Sequence, residues 1–287
     1  MKLIKTTILA SSLLLASTAY AQDCDRACLK GTVDQYLEAL VKHDTSLLPL
    51  APSVRFTEDH KDAVLGQGTW QSIEKLGSFR QDILDPQTSN AGVHVLAYEN
   101  GKPVLIAARL KVASGQVTEI ETTVVRNREE GMIFNTDAIT TASAAMNVTP
   151  TADQRDTRDD MIRLALLYPE GLRVGSFVTS GAQFSEQAYR FENGQLMAGP
   201  GCSFFPGCDK IREQRLPTLA GIKAQVAAVD EEQGIVWLRM NFGAGSLMSG
   251  DGELSVWEMF KIYDGQIQAV EAFMEEVPKD TPFGWEY

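Results

Sequence analysis

Glu58 is the first residue of this chain whose setting points to chemistry. In Val54-Arg55-Phe56-Thr57-Glu58, strand alternation puts Val54, Phe56 and Glu58 on one face, so a carboxylate shares an apolar surface. Burial disfavours the ionised form and raises a carboxyl's pKa toward neutrality, which suits it to proton transfer. His60 lies two residues further on and would extend the same surface as a second proton carrier. The histidines His43, His60 and His94 show no metal-ligand spacing. The chain also lacks a G-x-S-x-G elbow, a P-loop and a glycine-rich dinucleotide turn. A metal is therefore not expected.

The chain that positions these groups says the same thing twice. Lys111, Gly115, Gln116 and Glu121 recur as Lys261, Gly265, Gln266 and Glu271, with Val112, Val117 and Ile120 recurring as Ile262, Ile267 and Val270. A repeat this long is one domain, so two copies of one domain are expected. Arg55-Phe56 aligns with Arg190-Phe191, which places Asn193 opposite Glu58 and gives repeat two an amide where repeat one has an acid. Glu121 and Glu271 recur on a partly apolar face, where buried acids need partners; Arg55, Arg190, Lys111 and Lys261 are the candidates.

Leu29, Val33, Tyr36, Leu37, Leu40 and Val41 fall at helical spacing behind Asp23 as a cap. A strand at 54–58 and a short helix at 69–79 follow. A hairpin at 93–112 turns at Asn100-Gly101, and the last strand is 117–125. In the second copy, Thr149-Pro150 starts a helix whose apolar face carries Met161, Leu164, Ala165 and Tyr168. Strands at 189–193, 222–229, 235–242, 253–263 and 267–275 complete it. The extra length of repeat two falls mainly in the loop near 201–208, and such loops often carry function.

Residues 1–21 read as a secretory signal peptide ending at Ala19-Tyr20-Ala21, so a periplasmic or secreted protein is expected. A formal net charge of −12 disfavours nucleic acid and anionic membrane as partners. In an oxidising compartment Cys24, Cys28, Cys202 and Cys208 suggest two disulfides, and local pairing 24–28 and 202–208 is favoured because Pro206-Gly207 forms a turn. Zinc is the alternative, although C-x3-C and C-x5-C lack its usual spacing.

The closing pattern apolar-x-x-Asp/Ser-Gly-Gln-apolar-x-x-apolar-Glu resembles the nuclear-transport-factor-2-like superfamily, and more narrowly its SnoaL-like polyketide-cyclase domains. The helix ending Tyr36-Leu37-Glu38-Ala39-Leu40, the segment Leu48–Pro52 and the tail Pro282-Phe283-Gly284-Trp285 resemble a tandem secreted family of largely unknown function. The resemblance implies an α+β fold of two cone-shaped domains, each with N-terminal helices on a curved, mostly antiparallel sheet. The expected organisation is signal peptide 1–21, first domain 22–128, linker 129–148, second domain 149–278 and tail 279–287. It also implies an apolar pocket that works without a cofactor on a small apolar or aromatic molecule. Glu58 and His60 would be acid/base groups and Tyr36 a hydrogen-bond donor. Phe56, Trp70, Glu121, Asn193 and Tyr168 would line the pockets. The reaction class would be lyase, dehydratase or isomerase; the alternatives are a carrier or a protein-interaction module. The two domains would pack as an intramolecular pseudo-dimer, with a homo-oligomer as a further option. A tight turn of this kind ordinarily carries Asn-Gly, and here Asp59-His60 stands in its place.

Overall fold

The computed structural model describes residues 24–139, 144–244 and 252–285. The expected signal peptide lies outside them. Both repeats build the same α+β unit, a long helix against a six-stranded mixed sheet. The first helix, α1 (Arg26–Lys42), buries Leu29, Val33, Tyr36, Leu37 and Leu40. Its cap is Asp25, not Asp23: the Asp25 carboxylate accepts from the Cys28 amide, next to the Cys24–Cys28 disulfide. The strands are β1 (Leu50–Glu58), β2 (Lys61–Asp62), β3 (Ile73–Asp85), β4 (Asn90–Glu99), β5 (Lys102–Ala113) and β6 (Gln116–Val125). They lie in the order β2-β1-β6-β5-β4-β3, with β1 parallel to β6.

The helix expected over 69–79 is one turn, α2 (Thr69–Ser72). The remainder is β3, because residues 73–85 complete a ladder with β4 and tertiary pairing overrides local propensity. A short linker helix, α3 (Arg128–Gly131), precedes repeat two. There the long helix is α4 (Arg158–Val174), followed by α5 (Phe177–Ser180). Thr157 caps α4 through the Asp160 amide; Thr149-Pro150 lies outside the helix. The second sheet comprises β7 (Phe184–Glu192), β8 (Gln195–Ala198), β9 (Lys223–Asp230), β10 (Ile235–Asn241), β11 (Glu253–Tyr263) and β12 (Gln266–Val277). Its order, β8-β7-β12-β11-β10-β9, repeats that of the first sheet, again with one parallel pair.

Each helix covers one face of its own sheet, giving two separate cores. The opposite sheet faces pack together in a third core containing Phe79, Ile83, Leu105, Ala107, Trp237, Trp257, Met259 and Phe273. Space here is shared unequally. A Cβ on Gly92 would lie 2.1 Å from the Trp237 ring, so only glycine fits beneath that indole. Trp237 stacks on Trp257 and donates to His94 Nε2 at 3.1 Å. Burial lowers the His94 pKa to about 3, so this ring is a neutral acceptor rather than a proton carrier.

A reciprocal pair of contacts closes the interface. Arg26, at the start of α1, donates to Asp230 at 2.6 Å, and Asp230 also accepts from the Leu84 amide at 3.1 Å. Arg158, at the start of α4, donates to Asp85 at 2.7 Å, and Asp85 accepts from the Val229 amide at 2.9 Å. Each repeat thus holds the terminal aspartate of the other repeat's edge strand. Both aspartates are fully buried. Arg158→Met leaves the Asp85 carboxylate uncompensated and should cost about 3 kcal/mol in urea unfolding. A cost below roughly 0.5 kcal/mol, the size of an ordinary surface substitution, would show that the lock is ornamental.

Candidate functional site

The residues expected to form the repeat-one pocket do come together. Tyr36 and Trp70 meet edge to face with centroids 5.6 Å apart, both essentially unexposed, and Phe56 packs in the same core. The Tyr36 hydroxyl bonds Thr122 at 3.2 Å. Glu58 lies at the edge of this core, where its carboxylate accepts from the Thr69 amide at 3.2 Å and so caps α2. A Cβ on Gly68 would fall 2.5 Å from Glu58 Oε1, so the loop is moulded to the carboxylate.

His60 is not part of this group. Asp59 and His60 adopt φ of 47° and 65° between β1 and β2, the paired positive angles of a tight hairpin turn, and they swing the imidazole into the inter-repeat interface. There it meets Glu275, Arg239 and Ser255. Glu121 also faces the other repeat. Among the described residues its ion-pair partners include Arg109, at 3.4 Å, and Arg239, at 3.8 Å. Glu271 is buried at the matching position, and burial raises its pKa well above the ordinary value.

The repeat-two equivalences differ from those expected by one residue. Phe56 pairs with Ile120 and Glu58 with Thr122; Arg190 pairs with Val270 and Glu192 with Ala272. Since Ile120 and Val270 are repeat mates, Arg190 corresponds to Phe56 and Glu192 to Glu58. Asn193 corresponds to Asp59: both side-chain oxygens accept from the amide two residues past the strand pairing, Val124 and Met274 respectively. Asn193 also donates to the Gly131 and Ile133 carbonyls, so it clamps the linker rather than lining a pocket. A one-residue slip exchanges the two faces of a strand, and the alignment of Arg55-Phe56 with Arg190-Phe191 did so.

With the register set by the ladder, the helix-facing side of repeat two carries a buried polar group that repeat one lacks. Tyr168 on α4 accepts from Arg190 on β7 at 3.1 Å. Arg190 Nε approaches Glu192 Oε1 at 2.7 Å, an ion pair set off the N–H direction and not an aligned hydrogen bond. Glu258 on β11 shares this buried group and is 1% exposed. Its Oε2 has no hydrogen-bond partner among the described residues. Burial raises the Glu258 pKa and Glu192 adds to this. Arg190 and Tyr168 oppose it, and the result is about 8. Burial also raises Tyr168, while the surrounding negative groups keep Arg190 charged against the cost of its desolvation. At neutral pH the cluster holds a protonated carboxyl, a phenol and a guanidinium, with Glu192 paired to the guanidinium.

Aromatic rings enclose this group. Phe177 stacks on Tyr168 at 4.9 Å, Phe260 meets it edge-on at 4.9 Å and Phe184 at 6.4 Å. Phe184 also walls a cleft of about 350 Å³, together with Ala188 and residues 209–213. That segment follows the Cys202–Cys208 disulfide in the loop that lengthens repeat two. Glu258 was readable from sequence: Leu254, Val256, Phe260 and Ile262 share its alternation, and all are buried in the helix-facing core.

A family-model match falls on the same half of the chain. A family model described as a domain of unknown function (DUF8021) matches residues 154–274, the span containing Tyr168, Arg190, Glu192 and Glu258. No curated protein matches. Among solved structures, the chain is similar to wild-type IdmH, a proposed polyketide cyclase of Streptomyces antibioticus, at 18% identity and TM-score 0.27, covering 33% of this chain and 91% of that one. It is also similar to an NTF2-like protein of unknown function from Shewanella baltica OS155, at 18% identity and TM-score 0.27, covering 42% and 94%. A protein of unknown function with a cystatin-like fold from Methylobium petroleophilum PM1 matches at 15% identity and TM-score 0.30, covering 47% and 99%.

A raised carboxyl pKa has a definite sign for stability. Above about 4.5 the unfolded chain loses a proton that folded Glu258 retains, so its contribution to stability falls as pH rises toward 8. Carbon-13 NMR of the glutamate carboxyls should show one midpoint near 8 that disappears in Glu258→Gln. In Arg190→Met the midpoint moves higher, because the guanidinium favours the ionised form. A Glu258 midpoint near 4.5 would remove the chemical case for this cluster.

Proposed function

We propose that this is an exported protein whose second repeat binds a small, flat, apolar or aromatic molecule carrying one oxygen function, and acts on it by proton transfer. The observation that carries this reading is the unpartnered Oε2 of Glu258, an acid protonated at neutral pH and enclosed by Tyr168, Phe177 and Phe260. A neutral carboxyl in an apolar site donates a strong hydrogen bond to a carbonyl or phenolic oxygen and stabilises negative charge developing there. Tyr168 is the phenol beside the acid. Arg190 fixes Tyr168, and Glu192 is the proton acceptor at the edge of the site. The chemistry fits a lyase, dehydratase or isomerase that works without a cofactor, and the fold resemblance to nuclear-transport-factor-2-like proteins agrees with a pocket between helix and sheet.

Export is supported by two formed disulfides, Cys24–Cys28 and Cys202–Cys208, which suit an oxidising compartment. Among the described residues no helix is long and apolar enough to cross a membrane, and no group of three or more candidate ligands could hold a metal. In this reading Tyr36, Phe56, Glu58 and Trp70 are the structural remnant of the same site, and the domain limits are those expected from sequence.

The test uses 2-naphthol, a flat hydroxy-aromatic probe. One molecule per chain should bind, with affinity at pH 6.5 falling roughly tenfold in Glu258→Gln and in Tyr168→Phe, the worth of one hydrogen bond. Binding should weaken above pH 8 in the wild type alone. Equal affinity in both variants and the wild type contradicts the site.

A further inference from the structure

The segments that follow the two repeats cross over one another. The linker after β6 passes onto repeat two, where Ile139 and Met146 enter the third core and the Ala145 amide donates to the Tyr189 hydroxyl at 3.0 Å. The tail after β12 passes onto repeat one, where the Trp285 ring lies under the Arg55 guanidinium at 3.9 Å and near that of Arg109 at 4.9 Å. The Gln225 amide on β9 donates to the Trp285 carbonyl and holds the tail in place.

The two covering segments meet different surfaces. In the register set by the ladders, Arg55, Thr57 and Arg109 correspond to Tyr189, Phe191 and Met259. In repeat two these side chains pack with the third core, and Tyr189 and Phe191 meet edge to face with centroids 5.3 Å apart. In repeat one the polar replacements leave a cleft of about 180 Å³ between the sheet and Pro282, Gly284 and Trp285. That is room for a small metabolite-sized molecule, below the usual range for a drug-sized ligand.

The cleft floor is ordered by strand register. Thr57 pairs with Asp62 on one side and Glu121 on the other, and Glu121 pairs with Arg109, so the four form one row across β2, β1, β6 and β5. Arg55 lies two residues before Thr57, on the same face. The inner half of the row is already engaged: Glu121 faces Arg109 and Arg239, and Arg109 also holds Glu119 at 2.8 Å and Asn90 at 3.1 Å. The outer half is not. Among the described residues Arg55 makes no ion pair, and neither the Thr57 hydroxyl nor the Asp62 carboxylate makes a hydrogen bond. Stacking on Trp285 occupies the flat face of the Arg55 guanidinium and leaves its N–H edge for a carboxylate. Arg55 and Asp62 are exposed at the mouth, while Thr57 and Trp285 are buried as floor and roof.

A cation and an anion on either side of a hydroxyl, not paired with each other, match a molecule that carries both charges itself. A simple anion would meet Asp62 and Glu121, and a simple cation would meet Arg55. We propose that this cleft binds a small zwitterion, a free α-amino acid, with its carboxylate on Arg55 and its ammonium between Asp62 and Thr57 beneath Trp285. The site is separate from the helix-facing cluster of repeat two and does not depend on it.

Titration of glycine and L-alanine into the nitrogen-15-labelled full chain tests this, read at the Trp285 indole N–H resonance, the one missing from Trp285→Phe. The resonance should shift saturably with one site per chain. Acetate and methylamine, which each carry one of the two charges, should bind at least roughly tenfold more weakly than glycine. Arg55→Met and Asp62→Asn should keep the wild-type urea midpoint and each weaken glycine by roughly tenfold. Asp62 touches nothing in the tail, so its loss reports binding and not the seating of Trp285. No saturable shift by about 10 mM glycine, beyond the millimolar range of weak specific sites, overturns the proposal. So does acetate binding as tightly as glycine, which would mark a simple anion site, or unchanged glycine affinity in Asp62→Asn.

Discussion

The pair of arginine–aspartate contacts between the repeats is the constraint on which the rest of the molecule depends. Each arginine opens the long helix of one repeat and each aspartate closes an edge strand of the other. The aspartates are out of water and also accept a backbone N–H from the opposing strand, so neither contact survives sliding of one sheet over the other. This fixes the sheet faces together, and large apolar rings then fill the space between them. It also leaves each repeat with its own helix-facing core on the side of its sheet away from the other repeat.

Within this symmetrical frame the two sites have diverged. Where repeat two places Arg190 and Glu258 beside its helix tyrosine, repeat one has Phe56 and Ala108, and Tyr36 settles on Thr122. The strand-end acid is present in both, as Glu58 and Glu192. In repeat one it caps a helix turn; in repeat two it pairs with an arginine inside the core. The same framework thus supports an apolar core in one copy and a charged cluster in the other. A charged cluster in a core is expensive to keep, and function is the usual reason for keeping one.

Much of the architecture was readable from residues alone. The repeat at Lys111–Glu121 and Lys261–Glu271, the stripe on the first helix and the Asn-Gly hairpin each report local geometry, and all fall where expected. The local disulfides did too. The strand β3 was missed because residues 73–85 owe their conformation to pairing with β4, a contact that no short window contains. The repeat-two equivalences were misplaced for a sharper reason. Aligning Arg55-Phe56 on Arg190-Phe191 matched letters, whereas the ladder matches Phe56 to Arg190. Strand period is two, so that single step sent Tyr189 and Phe191 inward on paper and hid Arg190 and Glu192. His60 and Glu121 were expected at the pocket, but their setting is the surface between the sheets, which a single-domain reading does not contain.

The central claim is that one repeat works and the other supports it. Native mass spectrometry of protein purified gently from an oxidising compartment addresses this directly, comparing the wild type with Tyr168→Phe/Glu258→Gln and with Tyr36→Phe/Glu58→Gln. The account predicts one small apolar ligand per wild-type chain, lost in the repeat-two variant and retained in the repeat-one variant. Two ligands per chain, or loss of the ligand only in the repeat-one variant, would contradict it.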